Sequence, residues 1–206
     1  MTKSRMPPTD RASEIGPLDH GRRMSLAEFE DVDAQEGFFY ELANGVIEVS
    51  AFPHRHHCFQ LMDLRDQLEI YKIRSPGSIS AVCGACDSKI LLESEQSERH
   101  PDLAVYTTPM PDEDEIWSIW IPTIAIEIVS ESSIKRDYEE KPGEYLAFGM
   151  QEYWIVDGMK KQMTVLTRFR GIWREKVFKS SQKYTTRHLP GFSLDLKRIF
   201  TASKSG

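Results

Sequence analysis

The sequence predicts an α/β fold that combines parallel with antiparallel strand pairs, and three observations predict it. The run IAIEIVS at residues 124–130 is short and rich in Ile and Val, the composition of a buried strand. A helical stretch at 138–148 and a second apolar run at 152–156 follow it. Strand, helix, strand is a crossover unit, which pairs its strands in parallel. Asn44-Gly45 divides two alternating runs, a strong hairpin signal, and a second hairpin turns at Arg170-Gly171 between 163 and 177.

In chain order, residues 1–17 (MTKSRMPPTDRASEIGP) are polar and contain proline, and are expected to be a disordered lead-in. Residues 18–206 are expected to form a single domain with its own core. Ser25-Leu26-Ala27-Glu28 fits a capping box, so a short helix starts there. A two-residue turn at Asn44-Gly45 sets Leu42 opposite Ile47 and Tyr40 opposite Val49, an apolar face. Glu41 then opposes Glu48 on the other face, where like charges call for water or a cation. After Pro53, His57, Leu61, Leu64 and Leu68 recur at helical spacing, and Ser75-Pro76-Gly77 breaks that helix. Strands are expected at 79–83, 89–92 and 100–106 (HPDLAVY), then an acidic loop, then the 124–130 strand. Gly149 is placed to cap the helix at 138–148. The tail LPGFSLDLKRIF is expected to be a strand or loop packed at the end.

A net charge of −6 argues against a protein that coats nucleic acid through bulk charge, though not against an acidic site with a local basic rim. No apolar run reaches the about 20 residues that span a bilayer, and no apolar signal segment is visible, so no membrane association is expected. Three cysteines, Cys58, Cys83 and Cys86, point to a reducing, cytoplasmic setting.

One residue does not suit its strand. Side chains alternate, so Ile124, Ile126 and Ile128 share one face while Ala125, Glu127 and Val129 share the other. Both faces are otherwise apolar, as in a central strand covered on both sides. A lone carboxylate there costs several kcal/mol unless paired, protonated or bound to a metal. A salt bridge to a nearby Arg or Lys and a functional role both remain open. Asp102 opens the preceding strand. Neighbouring strands lie about 4.8 Å apart, so two acids facing the same way can share one divalent cation. Hard oxygen ligands suit Mg²⁺.

HPDLAVY, IAIEIVSESS, the segment RDYEEK with Tyr145, EYWIVD and LPGFSLDL, taken in this order, resemble the Uma-two family. Its members are bacterial proteins of the PD-(D/E)XK, restriction-endonuclease-like superfamily. The resemblance spans residues 25–200. It implies a restriction-endonuclease-like α/β core, a mixed β-sheet flanked by helices, with an added N-terminal hairpin and C-terminal β-structure.

The resemblance also implies a metal site. Asp102 matches the Asp of the Pro-Asp motif, Glu127 the second acid, and Glu41 the acid of an early hairpin. The superfamily lysine stands two residues after the second acid, where this chain has Val129. Lys141 matches the lysine that the family carries on the following helix, with Asp137 four residues before it as an accessory. Pro142 follows Lys141, so the helix is expected to start at Pro142 and leave Lys141 at the rim. Among His54, His56 and His57, helical phase favours His57 as the histidine at the start of the first core helix.

These matches imply an endonuclease that hydrolyses DNA with Mg²⁺, or Mn²⁺ in its place. Asp102 and Glu127 would hold the ion, Glu41 would help to hold a second, and Lys141 would orient water or stabilise negative charge. A homodimer is expected, because two symmetric sites cut both strands most simply. Glu127→Ala is expected to abolish cleavage, leave the fold intact and even stabilise the metal-free chain. The competing reading is an inactive nuclease fold serving as a DNA- or protein-binding module.

Weaker signals have plainer explanations. Cys83-Gly-Ala-Cys86 is half a zinc site with no second pair of cysteines, and reads as small residues at a strand end. Trp117 and Trp120 would serve as a dimer contact or a base-stacking lid, with packing the favoured reading. Lys135 and Arg136 flank the site and could meet phosphates, but no sequence-reading module accompanies them.

Overall fold

The computed structural model describes residues 14–202, so the lead-in up to residue 13 lies outside the described residues. Its contacts divide the described chain into two compact units, 14–52 with Glu93–Glu98, and Pro53–Leu92 with 99–202.

The first unit starts earlier than the expected lead-in allows, because Ile15 is buried and bridges to Ala34. Helix α1 (Leu26–Asp31) begins with the capping box. Glu28 N–H donates to Ser25 Oγ and Ser25 N–H donates to the Glu28 carboxylate. Strands β1 (Phe38–Ala43) and β2 (Val46–Ala51) pair with Leu42 opposite Ile47, Tyr40 opposite Val49 and Glu41 opposite Glu48, the expected register. Asn44 and Gly45 both take positive φ, 50° and 72°, which a tight two-residue turn of this hand requires. Leu42 and Ile47 are fully buried. Glu41 is buried too, and β1 also pairs through Leu42 with Glu98 of the 93–98 segment.

The second unit holds the crossover. Helix α2 (Arg55–Arg74) runs to the predicted break at Ser75. Strands β3 (Ala81–Gly84), β4 (Ile90–Leu92), β5 (Ser97–Arg99, which straddles the unit boundary), β6 (Leu103–Tyr106) and β7 (Ile124–Ile128) follow. A π-helical turn (Arg136–Glu140) leads into α3 (Lys141–Phe148), and β8 (Glu152–Asp157), β9 (Gln162–Phe169) and β10 (Ile172–Lys179) complete a six-stranded sheet. Its order is β10-β9-β8-β7-β6-β3, parallel between β7 and β8 and antiparallel elsewhere, hence mixed. The β9–β10 turn falls at Arg170-Gly171, as expected.

The central strands β6, β7 and β8 are covered on both faces, which accounts for their being mostly apolar, while edge strand β10 is largely exposed. Ile124, Ile126, Ile128, Trp154 and Val156 pack under α2, with Leu64 and Leu68. Ala125, Val129, Tyr153 and Ile155 pack on the opposite face, with Tyr145 of α3. The tail departs from expectation. After β11 (Lys183–Tyr184) and β12 (Leu194–Asp195) it forms helix α4 (Leu196–Ala202) rather than ending in a strand or loop. The Asp195 carboxylate caps this helix by accepting from the Lys197 and Arg198 N–H groups. Leu196, Ile199 and Phe200 then recur at helical spacing into the α2-side core. Trp120 packs face to face on Tyr106 with ring centroids 3.7 Å apart, so the packing reading holds for it. Among the described residues no helix is long and apolar enough to cross a membrane.

Candidate active site

Strand register brings the two central acids together. Leu103 of β6 pairs with Ile126 of β7 in antiparallel register, and continuing that register by one residue sets Asp102 opposite Glu127 at the end of the strand pair. The Asp102 carboxylate turns toward the same end of β7, where Ile128 N–H donates to Oδ2 at 2.7 Å. His57, in the first turn of α2, places Nε2 3.0 Å from the same oxygen. The His57 Nδ1 atom is buried without a hydrogen-bond partner among the described residues. His54 and His56 are exposed, whereas His57 is half-buried.

Glu127 is buried on the α3 face of the sheet. Its Oε1 accepts from Lys141 Nζ at 2.9 Å and from the Tyr145 hydroxyl at 2.6 Å. Lys141 is itself buried, contrary to the expectation that it would sit at the rim. The reason is local. Pro142 has no N–H, and its ring crowds the carbonyl one α-turn back. The chain accommodates this without starting a new helix, by widening the preceding turn to π spacing. Lys141 N–H donates to Arg136 O, five residues back. Helix geometry thus continues through Lys141, whose side chain is directed at the sheet.

The π turn also carries Asp137. Its Oδ2 accepts from Ser133 Oγ at 2.5 Å, and its Oδ1 lies 4.0 Å from Lys141 Nζ. Burial pushes the Asp137 carboxyl up to about 6, with Asp102 adding in the same direction, although Lys141, Ser133 and Arg136 pull the other way. Asp102, Glu127, Lys141, Asp137 and His57 therefore belong to one neighbourhood in the second unit. Glu41 belongs to the first unit.

Several participants were not assigned a role from sequence. Tyr145 follows Lys141 by four residues, so helical spacing alone places it on the same face. Its ring is held edge-on by Tyr153, centroids 4.9 Å apart. Arg99 is fully buried and grips Glu144 through two hydrogen bonds, Nε to Oε2 at 2.6 Å and Nη2 to Oε1 at 3.1 Å. This fork ties the segment leading to Asp102 to the helix carrying Lys141, and no short motif announces it. Lys135 meets Glu140 at 2.7 Å. Cys83 is half-buried in β3 and Cys86 exposed in the turn after it.

Comparison with known proteins bears on family and fold. The profile described as "Uma2: Putative restriction endonuclease" matches residues 26–197. The chain belongs to the Uma2 family. This is the family whose motifs the sequence resembles, and restriction-endonuclease-like nucleases are the type it describes. Among solved structures, the Uma2 chain is similar to a putative nuclease belonging to DUF820 from Anabaena variabilis ATCC 29413. The TM-score is 0.72 at 19% identity, over 87% of this chain and 99% of that one. That likeness establishes a shared fold. No curated protein matches the sequence.

The donor set decides what a metal could use here. Among the described residues, no three His, Cys, Asp or Glu side chains form a group able to hold an ion. What the second unit offers is two hard carboxylates, Asp102 and Glu127, at register positions opposite each other where β6 meets β7. Mg²⁺ is commonly bound by one or two carboxylates, with waters and substrate phosphates filling the other positions. The pair fits such an ion, and not a fully enclosed structural metal.

Proposed function

We propose that this Uma2 protein is a divalent-metal-dependent endonuclease that hydrolyses DNA phosphodiester bonds. The observation that carries the reading is the strand register that sets Asp102 opposite Glu127 on adjacent strands, with the Lys141 ammonium 2.9 Å from Glu127. Asp102 and Glu127 would hold Mg²⁺ or Mn²⁺. Such an ion, when bound, supplies charge neutralisation at the phosphate and a more acidic water.

The chain's own groups have distinct parts. His57 Nε2 and Ile128 N–H hold Asp102 in one orientation, and Tyr145 does the same for Glu127. Lys141 carries three donors on a buried stem. It can orient an attacking water or meet negative charge that develops on the phosphate. The departure from the superfamily pattern at Val129 is thereby compensated in space, since a lysine from the helix reaches the second acid. This compensation supports an active enzyme over an inactive binding module. The proposal uses the second unit alone and gives Glu41 no part. A homodimer, for cutting both strands, and a cytoplasmic setting for the free thiols of Cys58, Cys83 and Cys86 complete it.

The test is cleavage of supercoiled and linear DNA with Mg²⁺, Mn²⁺ or chelator. Wild type should nick or cut only with the ion, while Asp102→Asn and Glu127→Gln, folded by circular dichroism, should not. Ion-independent cleavage, or cleavage that survives in both variants, would reject the site. Binding of DNA by a chain that never cuts it would favour the module.

A further inference from the structure

We infer that Asp137 is a positioning residue: it receives the Lys141 ammonium when a divalent cation engages Asp102 and Glu127. The inference rests on the metal-site reading above and adds a role that this reading does not need.

Lys141 Nζ sits on Glu127 Oε1 at 2.9 Å. A dication on Glu127 would repel an ammonium held on the same buried carboxylate and weaken the hold of Glu127 on Lys141. Lys141 cannot simply withdraw, since its side chain is 6 % exposed and a buried ammonium needs an acceptor. Asp137 Oδ1 stands 4.0 Å from the same Nζ, so a shift of about 1 Å brings it to charge-assisted hydrogen-bond distance.

Asp137 is also built not to move. Ser133 Oγ donates to its Oδ2, its N–H donates to Ser133 O at 2.8 Å, and the Tyr153 hydroxyl donates to its carbonyl at 2.9 Å. Ser133 is in turn fixed by Ser130, whose N–H donates to Ser133 Oγ at 2.9 Å. A buried acid held on three sides, with its second oxygen toward a lysine that already has a nearer partner, is an acceptor in reserve. Lys141 can then yield Glu127 to the ion without leaving the site.

The experiment is titration of the metal-free full chain with Mn²⁺, read by paramagnetic resonance of free Mn²⁺, in a double-mutant cycle. Asp137→Asn should weaken Mn²⁺ binding about tenfold, the scale of coupling between two linked sites. In a Lys141→Met background the same substitution should change Mn²⁺ affinity by less than about twofold, because no ammonium is left to relocate. Equal weakening in both backgrounds, or none in either, would overturn the inference while leaving the metal site standing. Wild type that binds no Mn²⁺ would overturn the metal-site reading itself, and this inference with it. Should Asp137→Asn fail to fold, Asp137→Glu decides the matter. Affinity within about threefold of wild type supports a charged acceptor, and a tenfold loss refutes it.

Discussion

Lys141 Nζ lies 2.9 Å from Glu127 Oε1, and neither side chain exposes more than 6 % of its surface. A carboxylate in the middle of an apolar strand is tolerated here because an ammonium is buried with it. That reverses the expectation that Glu127→Ala would stabilise the metal-free chain. Removing one partner strands the other charge in the core, at a cost of about 3–5 kcal/mol. Glu127→Ala and Lys141→Met should each lower the unfolding free energy by that measure. The double variant Glu127→Leu with Lys141→Met should recover most of the loss. Equilibrium unfolding of the four chains checks this, and a double variant as unstable as the sum of the singles would contradict it.

Tyr145→Phe isolates one hydrogen bond. The hydroxyl donates to Glu127 at 2.6 Å, while the ring packs edge-on against Tyr153 and would stay in place. Loss of a hydrogen bond to a charged group should cost about 1.5–3 kcal/mol of unfolding free energy. Cleavage should slow about tenfold, since Glu127 loses one of the groups that fix its orientation. Urea unfolding and single-turnover kinetics measure the two effects separately.

Asp137 makes stability depend on pH in a defined sense. Its carboxyl, pushed up to about 6 by burial, keeps its proton in the folded chain after the unfolded chain has lost it near the ordinary aspartate value of 3.8. Between these values the folded state binds more protons, so this group's contribution to stability declines as pH rises and is flat above about 6. Asp137→Asn lacks this titration. Its unfolding free energy relative to wild type should therefore climb from pH 4 to about 6.5 and then level off. Urea unfolding across that range tests the sign.

Much of the architecture was legible because it is written in local chemistry. Asn44-Gly45 admits positive φ at two successive residues, and that alone set the β1–β2 register. The Ile and Val runs on either side of a helix announced the parallel β7–β8 pair. The β6–β7 pairing that sets Asp102 opposite Glu127 was legible because strand pairing carries position across the sheet. The environment of Lys141 was not. Pro142 argues for a helix start, and only the widened π turn, which has no sequence signature, keeps Lys141 inside the helix and buried. Helix α4 was missed because its apolar positions follow a proline- and glycine-containing stretch that reads as loop. The Arg99–Glu144 fork joins residues 45 apart in the chain, a separation at which no spacing rule applies.

That fork yields the last prediction. Arg99 stands three residues before Asp102 and Glu144 three after Lys141, so one buried ion pair couples the two halves of the site. Arg99→Ala would leave Glu144 without its bidentate partner and should cost about 3–5 kcal/mol. Arg99→Lys is the sharper test. It keeps the charge but replaces a planar fork with a single point donor, which cannot hold both carboxylate oxygens in a fixed orientation. At temperatures where the Arg99→Lys chain remains folded, turnover should fall about tenfold or more while the DNA concentration for half-maximal rate stays near wild type. The defect would lie in the alignment of Lys141 with Asp102 and Glu127, not in substrate capture. A change confined to the half-maximal DNA concentration would instead place Arg99 in DNA binding and remove it from the framework of the site.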